Sequence, residues 1–423
     1  MRILHTSDWH LGIRHGPASR APDHALFFAW LRDHITETAI DALVIAGDIF
    51  DTMQPSAETL GHWFRFLAGL PDTGLAQVIV VGGNHDSAAR LEAPAAVLGA
   101  LDVHVVGGLA AAETGRSRSI VPLRDRAGTV RAVCLAIPYV HEFRLGVRTT
   151  DLDTTATRQA FRDRFSMLYR QLVNAAREQH PGLPIIATGH MTIGSQARRE
   201  DYPHEIHQVG TLDALPADIL DPRIQYVALG HIHRPYPVDP ERRAWYSGSP
   251  IAFSLPEARV TRKVIQVELS ADPEGSPTVT PISVPPGRAL QELRAGPEAL
   301  LDAVRRLRWT EPLPPLLFCR VVADAMPPDL GGRLHEALAS HPEDARPLLA
   351  ELRQERTTSA VPTDGDTPPP RLDELHPEQV FETLLASRGL SQASDLRAAF
   401  ARIASADPRD FDAMVVAATE GRT

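Results

Sequence analysis

The chain has 423 residues, 43% of them hydrophobic and 23% charged, with a formal net charge of −10. This is the balance of a globular protein with length for two or three domains, and it excludes grip on nucleic acid by overall basic charge. No apolar run approaches the roughly 18 residues of a membrane span, no signal-peptide core opens the chain, and only Cys134 and Cys319 are present, so a disulfide scaffold is excluded and a cytoplasmic location is expected.

In chain order, five short apolar runs each end on residues able to ligate a metal. Arg2–Thr6 leads into Asp8-Trp9-His10. Ala42–Ala46 leads into Gly47-Asp48-Ile49-Phe50-Asp51. Val78–Val81 leads into Gly82-Gly83-Asn84-His85-Asp86. Ile185–Thr188 leads into Gly189-His190, and Tyr226–Leu229 into Gly230-His231-Ile232-His233. Apolar runs bounded by glycine read as buried strands. Helical periodicity lies between them, over Ala25–Ile40, Ser56–Leu70 and Arg158–Glu178, so the fold class is layered α/β. Helix Ser56–Leu70 carries Leu60, Trp63, Phe64, Phe66, Leu67 and Leu70, more apolar surface than one stripe uses. Burial against the sheet and an apolar contact surface both fit that pattern.

Arg262–Leu269 alternates like a closing strand, and the turn Asp272–Pro277 marks a change of domain. Residues 278–356 then read strand, helix, strand, helix over Val279–Val284, Pro297–Leu307, Leu316–Val322 and Gly331–Ser340. Thr357–Pro370 has the composition of a linker. Beyond it Val380, Phe381, Leu384 and Leu385 form one apolar stripe, and Leu396, Phe400 and Ile403 another. The expected division is 1–272, 273–356, 357–371 and 372–423.

In layered α/β folds ligands gather beyond the carboxyl ends of the strands. Asp8, His10, Asp48, Asn84, His190, His231 and His233 can therefore reach one cavity. Asp, Asn and His without thiolates suit Mn²⁺, Fe²⁺ or Zn²⁺, and seven ligands are too many for one ion. Two ions about 3.5–4 Å apart are suited to displacement at phosphorus.

These motifs, in this order, resemble the calcineurin-like metallophosphoesterases, and more narrowly the family of SbcD-type nucleases. The narrower resemblance rests on three stretches, residues 1–12, 46–52 and 210–218 with 226–235, and on Tyr246–Pro250 with Phe253-Ser254. It implies a two-sheet sandwich flanked by helices, a small α/β capping domain and C-terminal helices. It implies one ion on Asp8, His10, Asp48 and His233 and a second on Asp48, Asn84, His190 and His231, with Asp48 bridging and Mn²⁺ the expected metal. His85 is then the proton donor to the leaving oxygen or a stabiliser of its charge, Asp86 either a residue that orients His85 or a residue of the turn, and Asp51 a residue behind the ligands. The resemblance also implies DNA as substrate, exonuclease and endonuclease activity in repair and recombination, an SbcC-type ATPase docked on the C-terminal helices, and a homodimer within a heterotetramer. The chain's one lysine, Lys263, follows no glycine-rich loop, so any ATPase is another polypeptide. Arg14, Arg20, Arg90, Arg198, Arg199 and Arg234 are candidates for a DNA backbone track. A small-molecule metallophosphatase, a cyclic-diester phosphodiesterase and a non-catalytic scaffold are the alternatives.

Overall fold

The computed structural model describes residues 1–110, 113–140, 145, 154–193, 215–239 and 243–356, with Phe381, Leu385, Leu396, Arg397 and Phe400 beyond them. Arg198, Arg199, the expected linker, Val380, Leu384 and Ile403 lie outside the described residues. The chain divides into two compact units, Met1–Thr357 and Thr358–Thr423.

In chain order the strands begin with β1 (Arg2–Thr6), β2 (Arg14–His15), β3 (Ala18–Ser19), β4 (Ala42–Ala46), β5 (Gln77–Val81) and β6 (Val103–Val106). They continue with β7 (Ile120–Arg124), β8 (Val130–Leu135), β9 (Ile185–His190), β10 (Tyr226–Gly230), β11 (Tyr236–Asp239) and β12 (Ala244–Tyr246). The last are β13 (Lys263–Glu268), β14 (Thr278–Ser283), β15 (Arg288–Ala295), β16 (Leu313–Val322) and β17 (Leu348–Glu355).

Two six-stranded sheets form the body, in the orders β14-β13-β1-β4-β5-β6 and β11-β12-β10-β9-β8-β7. Strands β1, β4, β5 and β6 are parallel, as are β8, β9, β10 and β12. Parallel strands covered on both faces are continuous apolar runs rather than alternating ones. Every residue of β4, β5 and β10 is accordingly buried.

Between the sheets Ile3, Val44 and Ile79 meet Val121, Cys134, Ile186 and Ala228. Outside the first sheet, Leu43, Ile45 and Val80 pack with Phe27, Leu31 and Ile35 of helix Ala21–Glu37 and with Trp63, Phe66 and Leu67 of helix Ala57–Ala68. Outside the second, Leu135, Ile185 and Ala187 pack with Phe161, Phe165 and Leu172 of helix Thr154–Gln179. This is the helix-flanked sandwich that the sequence leads one to expect.

The wide apolar face of helix Ala57–Ala68 is mostly core. Trp63 and Phe66 are 2% and 3% exposed and pack on Trp9 at ring distances of 5.8 and 5.2 Å. Glutamate at either position would bury a charge in that cluster and unfold the protein rather than release a monomer. Phe64, Val97 and Leu101 are the exposed apolar residues of this region.

The expected boundary at residue 273 moves. Strand β14 pairs antiparallel with β13 in the first sheet, so the turn at 272–277 is a hairpin inside the body. A third sheet, β15-β16-β17, is all parallel, with helices Pro297–Arg306 and Leu330–Ala339 as crossovers. Strands β15 (RALQELRA) and β17 (LLAELRQE) are made of helix-favouring residues. Pairing on both sides of β16 overrides that local preference. In the second unit the rings of Phe381 and Phe400 stack 4.2 Å apart, which joins the two apolar stripes to each other.

Two buried histidines set an acid limit on the body. Burial pushes His5 down to about 3, and pushes His24 down to about 4 against its hydrogen bond to the carbonyl of Trp9. Released on unfolding, both bind a proton near 6.5. Their contribution is therefore complete above about pH 6.5 and is lost as pH falls toward about 4. The urea midpoint should drop between about pH 7.5 and 5, and His24→Gln should flatten that slope. A slope unchanged in His24→Gln would reject this origin.

Candidate metal centre

The turn after β1 is held by its middle residue. Trp9 is fully buried among Phe27, Phe28, Trp63 and Phe66, and its indole N–H donates to Thr6 Oγ1 at 2.9 Å. With Trp9 fixed, Asp8 and His10 on either side point the other way. The Asp8 and His10 amides donate to the Gly47 and Asp48 carbonyls at 3.0 and 3.1 Å, which laces this turn to the one after β4.

Four ligand-type residues sit in the left-handed backbone region: Asp8 (φ 53°), His10 (φ 45°), Asp48 (φ 51°) and His231 (φ 95°). Such conformations cost about 1–3 kcal/mol each and persist where the surroundings enforce them, typically at functional sites. Two glycines permit the close approach. A Cβ on Gly47 would lie 2.2 Å from His190 Nδ1, and one on Gly83 would lie 2.1 Å from Asp48 Oδ1.

The structure brings all seven expected ligands together. Ligand atoms of Asp8, His10 and His233 lie within 4.8 Å of one another, as do those of Asp8, Asp48 and His190. Asp48 Oδ2 is 3.5 Å from His10 Nε2 and 3.3 Å from His190 Nε2, so one carboxylate faces both groups. Asn84 Oδ1 completes the second group, 3.1 Å from His190 Nε2 and 2.9 Å from His231 Nδ1. Asp8, His10, Asp48 and His190 are buried, whereas Asn84, His85, His231 and His233 are half-buried and line the open side.

The neighbours of each ligand fix its direction. His190 Nδ1 donates to the Ala46 carbonyl at 2.9 Å, which turns Nε2 toward Asp48 and Asn84. Asp51 Oδ1 lies 3.3 Å from His10 Nδ1 and turns His10 Nε2 inward. Asp8 accepts the His231 amide at 2.8 Å and the Ser7 hydroxyl at 2.5 Å. Burial resists the charge on Asp48, but His190, then His10 and His85, hold its carboxyl far below the usual range. Burial also resists charge on His190, which Asp48 and then Asp8 overcome, raising it to about 9. Burial beside His190 pushes His231 down to about 3.

This donor set fits divalent cations. It consists of carboxylate, amide and imidazole atoms, and His10 Nε2 is buried without a hydrogen-bond partner. An orphaned ring nitrogen aimed at a carboxylate is what an ion between them would satisfy.

Asp86 differs from its expected place, and Glu257 is an addition that the motifs do not include. Asp86 does not touch the ring of His85: its carboxylate accepts the amides of Gly83, Ile49 and Phe50 at 2.9, 3.1 and 3.0 Å and ties two loops together. The His85 ring is oriented instead by the Asp51 carbonyl, which accepts from Nδ1 at 2.9 Å. Glu257 belongs to none of the ligand motifs, yet its Oε1 lies 3.4 Å from His233 Nδ1 and orients that ligand. The signal for it in the sequence is Ser254-Leu255-Pro256-Glu257, a capping box that opens the short helix Leu255–Ala258.

Residues 1–235 match the calcineurin-like phosphoesterase family. The chain is 34% identical to the SbcD component of the SbcCD nuclease of Rhodobacter capsulatus, over 90% of this chain and 93% of that one. It is 31% identical to the SbcD component of the Escherichia coli K12 SbcCD nuclease, over 94% and 96%. With the corresponding Bacillus subtilis protein it shares 33% identity over 65% and 68%.

Proposed function

The chain belongs to the calcineurin-like phosphoesterase family, and within it to the SbcD components of SbcCD nucleases; from that membership we propose that it is a metal-dependent nuclease that hydrolyses DNA phosphodiester bonds. The observation that carries this reading is the convergence of seven ligands from five strand ends around the Asp48 carboxylate. Asp8, His10, Asp48 and His233 would hold one ion, and Asp48, Asn84, His190 and His231 the other. Bound ions supply an activated water and offset charge at phosphorus. Asp51 holds His10 by its carboxylate and His85 by its carbonyl, so one residue aims a ligand and the proton donor together. His85 gives its proton to the leaving oxygen.

Mn²⁺ is the metal we assign, with double-stranded ends, single strands and hairpins as substrates. The partner is an SbcC-type ATPase bound through the C-terminal helices, in the cytoplasm, where repair and recombination would require it. Phe64, Val97 and Leu101 form the exposed apolar surface we assign to pairing of two copies. Among the described residues no helix is long and apolar enough to cross a membrane.

The test is cleavage of linear duplex, hairpin and plasmid DNA by the full chain with Mn²⁺, with and without the ATPase. Cleavage that EDTA abolishes is expected. A chain ending at residue 371 should keep basal cleavage and fail to capture the ATPase in a pull-down. Hydrolysis of small phosphomonoesters with DNA left intact would favour the phosphatase alternative, and capture of the ATPase by the shortened chain would reject the docking role.

A further inference from the structure

Arg20, one of the arginines expected along a DNA track, is turned inward and 2% exposed. It lines a cavity of about 370 Å³ bounded by residues 250–252, 258–262 and the start of the third sheet. Two more buried arginines, Arg262 and Arg288, line the same cavity, and the exposed Arg259 stands at its rim.

Asp23 alone does not balance Arg20 and Arg288. Asp23 is shared, accepting Arg20 Nη2 at 3.0 Å and Arg288 Nε at 3.1 Å, so two guanidiniums divide one carboxylate. Glu257 lies 3.9 Å from Arg262 and is shared with His233. Glu311 is the other acidic residue of the lining. Arg20 Nε is buried with no hydrogen-bond partner. The 17-residue helix Ala21–Glu37 begins at this wall, with Asp23 in its first turn. Two buried guanidiniums on one carboxylate leave an excess of positive charge that is expensive to maintain, and an anion beside them would offset it.

The remaining wall is apolar, with Phe27, Ile251 and Leu290. A cavity of this size takes a small ligand with one anionic end. Guanidiniums in a fixed array suit phosphate oxygens. The cavity is separated from the metal centre by one segment. Residues 250–252 line it, while the next ring, Phe253, lies 5.2 Å from His10 and 5.3 Å from His233. Arg262 donates to the His233 carbonyl at 2.9 Å.

We propose that this cavity is a phosphate-binding site distinct from the metal centre. Its phosphate comes either from a nucleic-acid strand or from a free mononucleotide, and the site does not depend on the nuclease reading.

Equilibrium dialysis of the metal-loaded full chain against labelled inorganic phosphate tests it. Two variants leave the metal ligands untouched: Arg259→Ala removes a rim cation, and Ala289→Leu fills the cavity with the charges intact. Each should weaken one phosphate site by about tenfold, as for a lost charge-assisted contact, with the circular dichroism spectrum unchanged. Phosphate held at the metals is common to all three proteins and cancels. Competition by a short oligonucleotide at lower concentration than by a deoxynucleoside monophosphate assigns the strand as the source, and the reverse order assigns the mononucleotide. Phosphate binding equal in wild type and both variants, or no stronger than chloride binding, overturns the proposal. Failure of the nuclease reading would show in DNA cleavage, which this measurement does not include.

Discussion

Asp48→Ala should empty both ion positions and lower DNA cleavage by about 10³-fold or more, a loss of about 4 kcal/mol in transition-state stabilisation. The expectation rests on one atom. Asp48 Oδ2 faces His10 Nε2 at 3.5 Å and His190 Nε2 at 3.3 Å, so the same carboxylate oxygen serves ligands of both groups. Its other oxygen accepts the His85 amide at 2.8 Å and holds the loop that carries Asn84. Asp48→Asn separates charge from shape. Asparagine tolerates the left-handed backbone found here and can keep the amide contact, yet it cannot supply the negative charge. Metal analysis should find both variants depleted and only alanine appreciably less stable. Loss of one ion with the other's affinity unchanged would sink the bridging assignment.

His85→Gln should keep both ions and lower cleavage by about 10²-fold or more, within the range for a lost proton donor. The His85 ring stands 4.7 Å from that of His10, edge to face, with Nδ1 committed to the Asp51 carbonyl. Ligand atoms of His10, Asp51 and His85 also lie within 4.8 Å of one another. Metal content therefore decides between the roles. A variant that loses an ion makes His85 a ligand. A variant with full metal and reduced cleavage makes it the donor, and the alkaline limb of its pH–rate profile should change with it.

The clustering of the candidate ligands was legible because each stands at a strand end, where an apolar run and a side chain able to ligate form one local pattern. The layered fold was legible for the same reason, since β4, β10 and Val78–Val81 of β5 are uninterrupted apolar runs. What could not be read depends on neighbours distant in sequence. Glu257 meets His233 only after the chain has passed through β11 and β12. Asp86 looked like a partner for the adjacent His85, but it reaches across to the amides of Ile49 and Phe50. Strands β15 and β17 carry helix-forming residues and become strands through pairing alone. Trp63 and Phe66 were ambiguous because a wide apolar face looks the same whether it meets a partner or, as here, Trp9.

The order of the first sheet has a consequence for the chain as it leaves the ribosome. Strand β1, which carries Asp8 and His10 at its end, lies between β4 and β13, and its second neighbour is made more than two hundred residues later. At about 5–20 residues per second, some 10–50 s separate the synthesis of the first ligand from that of His233. Throughout that interval the growing polypeptide has no complete site with which to cut the DNA or messenger around it. Competence arrives only when β13 closes the sheet. The residues that follow β14 are made after every strand end that carries a candidate ligand, so translation places the assembly of this site ahead of them.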